Sequence, residues 1–207
     1  MSDLTTPTAD AQEPLEATIK GEVLRMYQEV ADHPENDFHF YHGRHAAEMF
    51  GYESEWLAKA PEGSIASFAG VGNPHLRSNI QPGETVMDLG SGAGLDSIIA
   101  SWQTGPNGKV LGVDLNPNMC HKAQAHAQAS GTSLECHEGR MEDLPIPDES
   151  VDVVLSNGVI NLSFQKHQVI AEIFRVLKPG GRISITDIVS ARKLSQDIVN
   201  DPKLWAS

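Results

Sequence analysis

The run Thr85-Val86-Met87-Asp88-Leu89-Gly90-Ser91-Gly92-Ala93-Gly94 constrains this chain more than any other stretch. Residues 86–89 suit a buried parallel strand, and three glycines at alternate positions let the backbone pass close to a ligand where a Cβ would collide. A helix starting near Ala93 then aims its free amide N–H groups at an anionic part of that ligand. A second strand, residues 109–113, ends at Asp114, whose carboxylate is placed to accept both hydroxyls of a ribose. Strand, glycine loop, helix and a following acidic strand end together predict a pocket for a nucleoside-bearing cofactor.

The spacing narrows the choice of cofactor. Dinucleotide sites carry G-x-G-x-x-G, whereas Gly90, Gly92 and Gly94 form G-x-G-x-G, with Asp88 two positions before the first glycine. The third glycine comes one residue early for a pyrophosphate turn. An NAD-linked oxidoreductase would also need a Tyr-Lys or His-based proton relay, which the sequence does not display, so that reading ranks behind a cofactor without a pyrophosphate.

From residue 84 onward, strand and helix patterns alternate as in parallel βαβ units. Strands are predicted at 86–89, 109–113, 133–137, 151–156 and 182–188, and helices at 94–102, 117–130 and 164–177. Asn116 is the expected N-cap of the second of these helices, with Pro117 in its first turn. Right-handed crossovers make this an α/β fold, an open, doubly wound, mostly parallel sheet whose ligand site lies at the carboxyl ends of the strands. Before it, Ile19, Val23, Tyr27 and Val30 share one helical face that Pro34 terminates. Further helices are expected at 44–50 and 54–60, and a loop at 68–74. The chain therefore divides into a disordered tail (1–14), an N-terminal helical cap (15–80) and an α/β core (81–207).

Composition sets limits on partners. Fifteen basic against 28 acidic residues, a formal net charge of −13, repel a phosphate backbone, so nucleic acid is not an expected partner. No stretch approaches the ~20 apolar residues of a membrane span. With only Cys120 and Cys136, nothing suggests an oxidising compartment, and the cytoplasm is the default expectation. His39, His42 and His45 step every third residue and drift around a helix, so no metal site is predicted from them. His75 is a candidate for the pocket. Met141 is placed to cover an adenine face, with Glu142 beside its exocyclic amine, and Asn157 closes the fourth strand beside the first.

These segments carry a family resemblance. Residues 86–96, 139–145, 156–162 (Ser156-Asn157-Gly158-Val159-Ile160-Asn161-Leu162) and 174–182 resemble the arsenite methyltransferase branch of the class I S-adenosylmethionine (SAM) methyltransferases, over roughly residues 83–201. The resemblance implies SAM as cofactor. It implies contacts from Asp88, Gly90, Ser91, Gly92 and Gly94, from Asp114 and Leu115, from Met141 and Glu142, and from Asn157. Tyr27 is implied to lie against the cofactor from the N-terminal helix.

Two departures qualify what is carried over. Trivalent arsenic is soft and thiophilic, and the family has a cysteine where this chain has Gly158, while residues 68–74 contain none. A different small-molecule acceptor is therefore expected, attacking the sulfonium methyl directly, with no catalytic base assigned. The family's sheet usually finishes with an antiparallel hairpin, for which residues 191–207 are too few, so a truncated sheet edge is expected. A bare edge of that kind predicts pairing with a second copy of the chain. The rival from another class is a non-catalytic SAM-binding or partner-binding domain.

Overall fold

The computed structural model describes residues 9–33, 36, 38–192 and 201. Five helices come first: α1 (Ala9–Asp32), α2 (Gly43–Met49), α3 (Ser54–Lys59), α4 (Glu62–Ala66) and α5 (His75–Ser78). The alternating part follows as β1 (Thr85–Leu89), α6 (Leu95–Thr104), β2 (Lys109–Asp114), α7 (Pro117–Ala129), β3 (Glu135–Glu138), β4 (Val151–Asn157), α8 (Lys166–Val176) and β5 (Leu177–Thr186). The strands form one sheet in the order β3-β2-β1-β4-β5, and every pairing is parallel. The order reverses direction at β1, so the crevice beside its carboxyl end is the expected ligand position.

Alternation of side chains along the strands supplies two cores. Met87, Leu89, Leu111, Val113 and Val154 point to the face covered by Val169, Ile173 and Val176 of α8. Val86, Val110, Val153 and Leu155 point to the other face, against Ile98 of α6 and Ala123 and Ala127 of α7. Because both faces are covered, the strands are near-continuous apolar runs. A third cluster joins Ala46, Tyr52, Leu57, Ile65 and Phe68 of the cap to Leu95 and Ile99 of α6. The cap thus shares its apolar core with the sheet's own flanking helix.

The α7 cap forms as expected, Asn116 Oδ1 accepting from Asn118 N at 2.9 Å with Pro117 in the first turn. Elsewhere the structure departs from the sequence reading. Helix α1 already starts at Ala9, inside the stretch expected to be a tail, while residues 1–8 and Pro34 lie outside the described residues. Helices α4 and α5 were not anticipated, since each is about one turn long and too short to show a period. Strand β5 starts at Leu177, not 182: Leu177 pairs with Val151, the register then shifts, and Arg182 pairs with Val153. Lys178-Pro179-Gly180-Gly181 is therefore an irregularity within the strand, where Pro and Gly had suggested a turn before it.

The middle of β5 is tied back to the cap and to the residue before β1. Arg182 Nε donates to Ser78 O at 2.7 Å, its Nη1 and Nη2 reach the Glu84 carboxylate at 2.8 and 2.7 Å, and Nη2 also donates to Asn79 O. No helix among the described residues is long and apolar enough to cross a membrane.

Candidate functional site

A cavity of about 420 Å³ opens at the carboxyl ends of β1, β2 and β4, roofed by α1. Its size is within the range of small-molecule sites. Tyr27, Gly90, Ser91, Gly92, Gly94, Asp114, Leu115, Met141, Glu142 and Asn157 all line it, so ten of the eleven residues expected from sequence come together. Asp88 is the exception. Only 2% exposed, it lies beneath the loop and accepts from Ser97 Oγ at 2.6 Å, so the structure gives it the task of holding the start of α6. Burial and the neighbouring Asp96 charge push its carboxyl up to about 7.

The glycine loop folds back over the end of β2. Gly90 N and Ser91 N both donate to Val113 O, at 2.7 and 3.1 Å. Gly90 has φ 73°, and a Cβ there would stand 2.4 Å from Val159 Cγ2. Only glycine satisfies both the left-handed backbone and the close approach.

Asp114 is held for work at this loop. Its Oδ2 accepts from Gly92 N at 2.9 Å and its Oδ1 from Asn116 N at 2.8 Å. Burial raises its pKa, against the lowering effect of the amides of Asn116, Gly92 and Leu115. Each carboxylate oxygen has a second lone pair, so a fixed pair of acceptor positions is left for two vicinal hydroxyls. Across the cavity Glu142 Oε1 accepts from Ser163 Oγ at 2.6 Å, which fixes that carboxylate beside Met141. Gln28 Oε1 accepts from Asn116 Nδ2 at 2.7 Å and anchors α1 over the Asp114 end. Burial, with the charges of Asp114 and Asp187, pushes the Tyr27 phenol up to about 12, so it stays protonated near neutral pH.

At the opposite end, Asn157 is fully engaged by the protein. Its Oδ1 accepts from Val71 N at 2.9 Å, Gly72 N at 3.2 Å and Thr186 Oγ1 at 2.8 Å. Its Nδ2 faces Gly72 O at 2.9 Å and Asp96 Oδ2 and Tyr52 Oη at 3.1 Å each. Asp96 also accepts from Tyr52 Oη at 2.5 Å and lies 3.1 Å from His75 Nε2. Burial and Asp96 hold the Tyr52 phenol well above the usual range. His75, expected as a pocket residue, is instead buried between Asp96 and Gln103 Oε1, 2.9 Å from its Nδ1, and is not part of the cavity wall. Tyr52 and Asp96 were not singled out from sequence. Asp96 sits directly after the glycine loop, which is a usable signal, whereas Tyr52 meets it across 44 residues and has none.

A family model described as a methyltransferase domain matches residues 80–207. The chain belongs to that methyltransferase domain family. An arsenite methyltransferase of Halobacterium salinarum is 41% identical over 75% of this chain and 40% of its own length. A demethylmenaquinone methyltransferase of Symbiobacterium thermophilum is 32% identical over 51% of this chain and 43% of its own. Among solved structures, an arsenic(III) S-adenosylmethionine methyltransferase from Chlamydomonas reinhardtii matches with a TM-score of 0.61 and 34% identity, covering 78% of this chain and 53% of that one. The chain spans less than half the length of the two curated relatives. Within the methyltransferase family the similarity lies with the arsenite branch of the class I enzymes, whose cofactor is SAM.

The residues present fit that cofactor. The Gly90 cradle admits backbone-close packing, Asp114 offers acceptors for a ribose diol, and Met141 and Glu142 bound the side where a base would lie.

Proposed function

We propose that this chain binds SAM in the cavity and transfers its methyl group to a small-molecule acceptor that is not held by thiolates. The observation that carries the reading is the joining of the glycine loop to the Asp114 carboxylate in a single cavity. When bound, SAM supplies an electrophilic methyl on a sulfonium. Asp114 holds the ribose, Met141 and Glu142 bound the adenine, and α1 with Tyr27 excludes water from above. The acceptor enters where Phe68, Ala69, Val159, Leu162 and Phe164 supply an apolar wall. Asp96 and Asn157 are occupied by one another and by Tyr52 and the 71–72 backbone, so they shape this wall and no proton transfer is assigned to them.

The names of the relatives make arsenite the first acceptor to test. The cavity argues against it: its lining includes Gly158 and no cysteine, so a soft trivalent centre finds no thiolate there. A net charge of −13 likewise disfavours a polyanionic substrate. The two cysteines, free in the structure, fit a reducing compartment, and we place the protein in the cytoplasm.

Calorimetric titration with SAM and S-adenosylhomocysteine tests the cofactor. Asp114→Ala removes acceptors for two hydroxyls, and affinity should fall about 100-fold, from roughly 1.4 kcal/mol per lost charge-assisted hydrogen bond. Equal affinity in the variant overturns the placement of the ribose. Methyl transfer to arsenite at a rate matching that to any carbon, nitrogen or oxygen acceptor overturns the acceptor reading.

A further inference from the structure

Lys20 and Arg140 are the basic residues of the cavity lining. Arg140 turns its Nε to Glu142 Oε2 at 3.5 Å, whereas Lys20, half-buried on α1, makes no hydrogen bond or ion pair among the described residues. The acidic residues of the lining are served by other groups: Asp114 by the amides of Gly92 and Asn116, Glu142 by Ser163 Oγ, and Asp96 by Tyr52 Oη and Asn157 Nδ2. The ammonium donors of Lys20 therefore stand at the cavity without an acceptor. Ala17, Lys20, Leu24 and Tyr27 follow at three- and four-residue steps and share the face of α1 turned to the cavity. The other end of that helix is fixed beside the ribose position, Gln28 by Asn116 Nδ2 and Asp32 by Lys122 Nζ at 3.6 Å. Lys20 comes eight residues before Gln28, about 12 Å along the axis, which carries it away from the ribose end.

We propose that Lys20 sets specificity for the acceptor, and that the acceptor is a monoanion, with one carboxylate head on Lys20 and an apolar body against Phe68, Val159, Leu162 and Phe164. This rests on the reading of the cavity as a SAM site with an acceptor wall. A single head matches a single unpartnered cation, and a second negative charge would face Asp96 and Glu142, whose carboxylates line the same space. The apolar stem of Lys20 lies along the half-buried face of α1 while its head reaches the ligand. As the occupied cavity loses water, the attraction between ammonium and carboxylate strengthens. A neutral acceptor of the same shape gains nothing from Lys20, so the residue selects by charge and the wall selects by shape.

Calorimetry on the protein saturated with S-adenosylhomocysteine tests this, with acid and amide pairs as probes: 4-hydroxybenzoate against 4-hydroxybenzamide, and hexanoate against hexanamide. In at least one pair the acid should bind about tenfold more tightly than its amide, the effect of one charge-assisted hydrogen bond. Lys20→Gln keeps a long side chain of similar helix preference, so α1 is retained. In that variant the acid should fall to the affinity of the amide, while the amide and S-adenosylhomocysteine bind as in wild type. Lys20→Arg should restore the preference, which a purely structural role would not do, since lost packing weakens acid and amide alike. Absence of an acid preference in both pairs, or no binding of any probe, overturns the proposal. So does a preference that survives Lys20→Gln, or a variant that loses only affinity for S-adenosylhomocysteine, since the lysine would then serve the cofactor's own carboxylate. Failure of the wild-type chain to bind S-adenosylhomocysteine is a separate result, which removes the cofactor reading and this inference with it.

Discussion

The two ends of the cavity are built on different principles. At the Asp114 end the geometry is almost all backbone: amides of Gly90 and Ser91 on Val113 O, amides of Gly92 and Asn116 on the Asp114 carboxylate, within a stretch of 27 residues from 90 to 116. At the Asn157 end it is side chains meeting across long separations, Asn157 to Val71 over 86 residues and to Tyr52 over 105. Local backbone geometry can be read from glycines and an acidic residue at fixed spacing. A convergence of Tyr52, Asp96, His75 and Asn157 has no spacing to read. The first end is fixed by backbone over a short stretch, and the second by packing between distant elements.

The largest expected effect breaks the backbone end. Gly90→Val should abolish measurable SAM binding in calorimetry, because the added side chain meets Val159 and the left-handed backbone costs a further ~1 kcal/mol or more. SAM affinity within tenfold of wild type would show that the loop need not close on Val159.

Next, Asn157→Ala strips partners from Val71 N, Gly72 N and Thr186 Oγ1 at once and should destabilise by roughly 3 kcal/mol in urea melts. Limited proteolysis should then cut within residues 68–74 before the sheet unfolds. If SAM affinity falls by more than the lost stability explains, Asn157 also touches the cofactor, and the division between the two ends blurs.

A pH-dependent effect separates the residue under the loop from those facing the cavity. The Asp88 carboxyl is held at about 7 by burial and by Asp96, so the native chain binds this proton more tightly than the unfolded one. Its contribution to stability is complete below the ordinary carboxylate range and is lost as pH rises toward 7. Asp88→Asn removes that loss, so the melting temperature of the variant should gain on wild type between pH 4 and 8 and then stay level. A gap independent of pH would refute the buried titration.

The smallest effect concerns the surface of the cap. The Lys59–Glu55 pair is an exposed i, i+4 contact screened by solvent, and Lys59→Ala should leave the urea midpoint unchanged within error. A larger loss would mean that the cap depends on its surface charges more than on the Tyr52, Leu57, Ile65 and Phe68 cluster packed on α6.

The sheet was legible because β1, β2 and β4 are buried on both faces and are therefore near-continuous apolar runs, and because Asn116-Pro117 marks a helix start by its own chemistry. That the glycine loop and Asp114 meet at one cavity was legible from their spacing, although sequence placed Asp88 in the pocket when its proximity to the loop reflects support from beneath. His75 was misplaced for a related reason: a polar residue beside a loop suggests a site, and only packing shows it satisfied by Asp96 and Gln103. The start of β5 escaped because Pro179, Gly180 and Gly181 punctuate a sequence equally well as a turn or as a bulge.

Arg182 carries a consequence for how the chain reaches this state. Its guanidinium closes on Ser78 O and Glu84, about a hundred positions earlier, and β5 is the last strand described. The lead-in to the first strand is thus locked only after β5 has docked, whatever order the helices form in. Closure over so long a separation carries a loop-entropy cost that nearer contacts do not, so docking of β5 is expected late in folding. During synthesis the cap and the first strands wait unlatched, and a chain cut before residue 182 would keep its glycine loop in sequence while losing the clasp that joins cap to sheet.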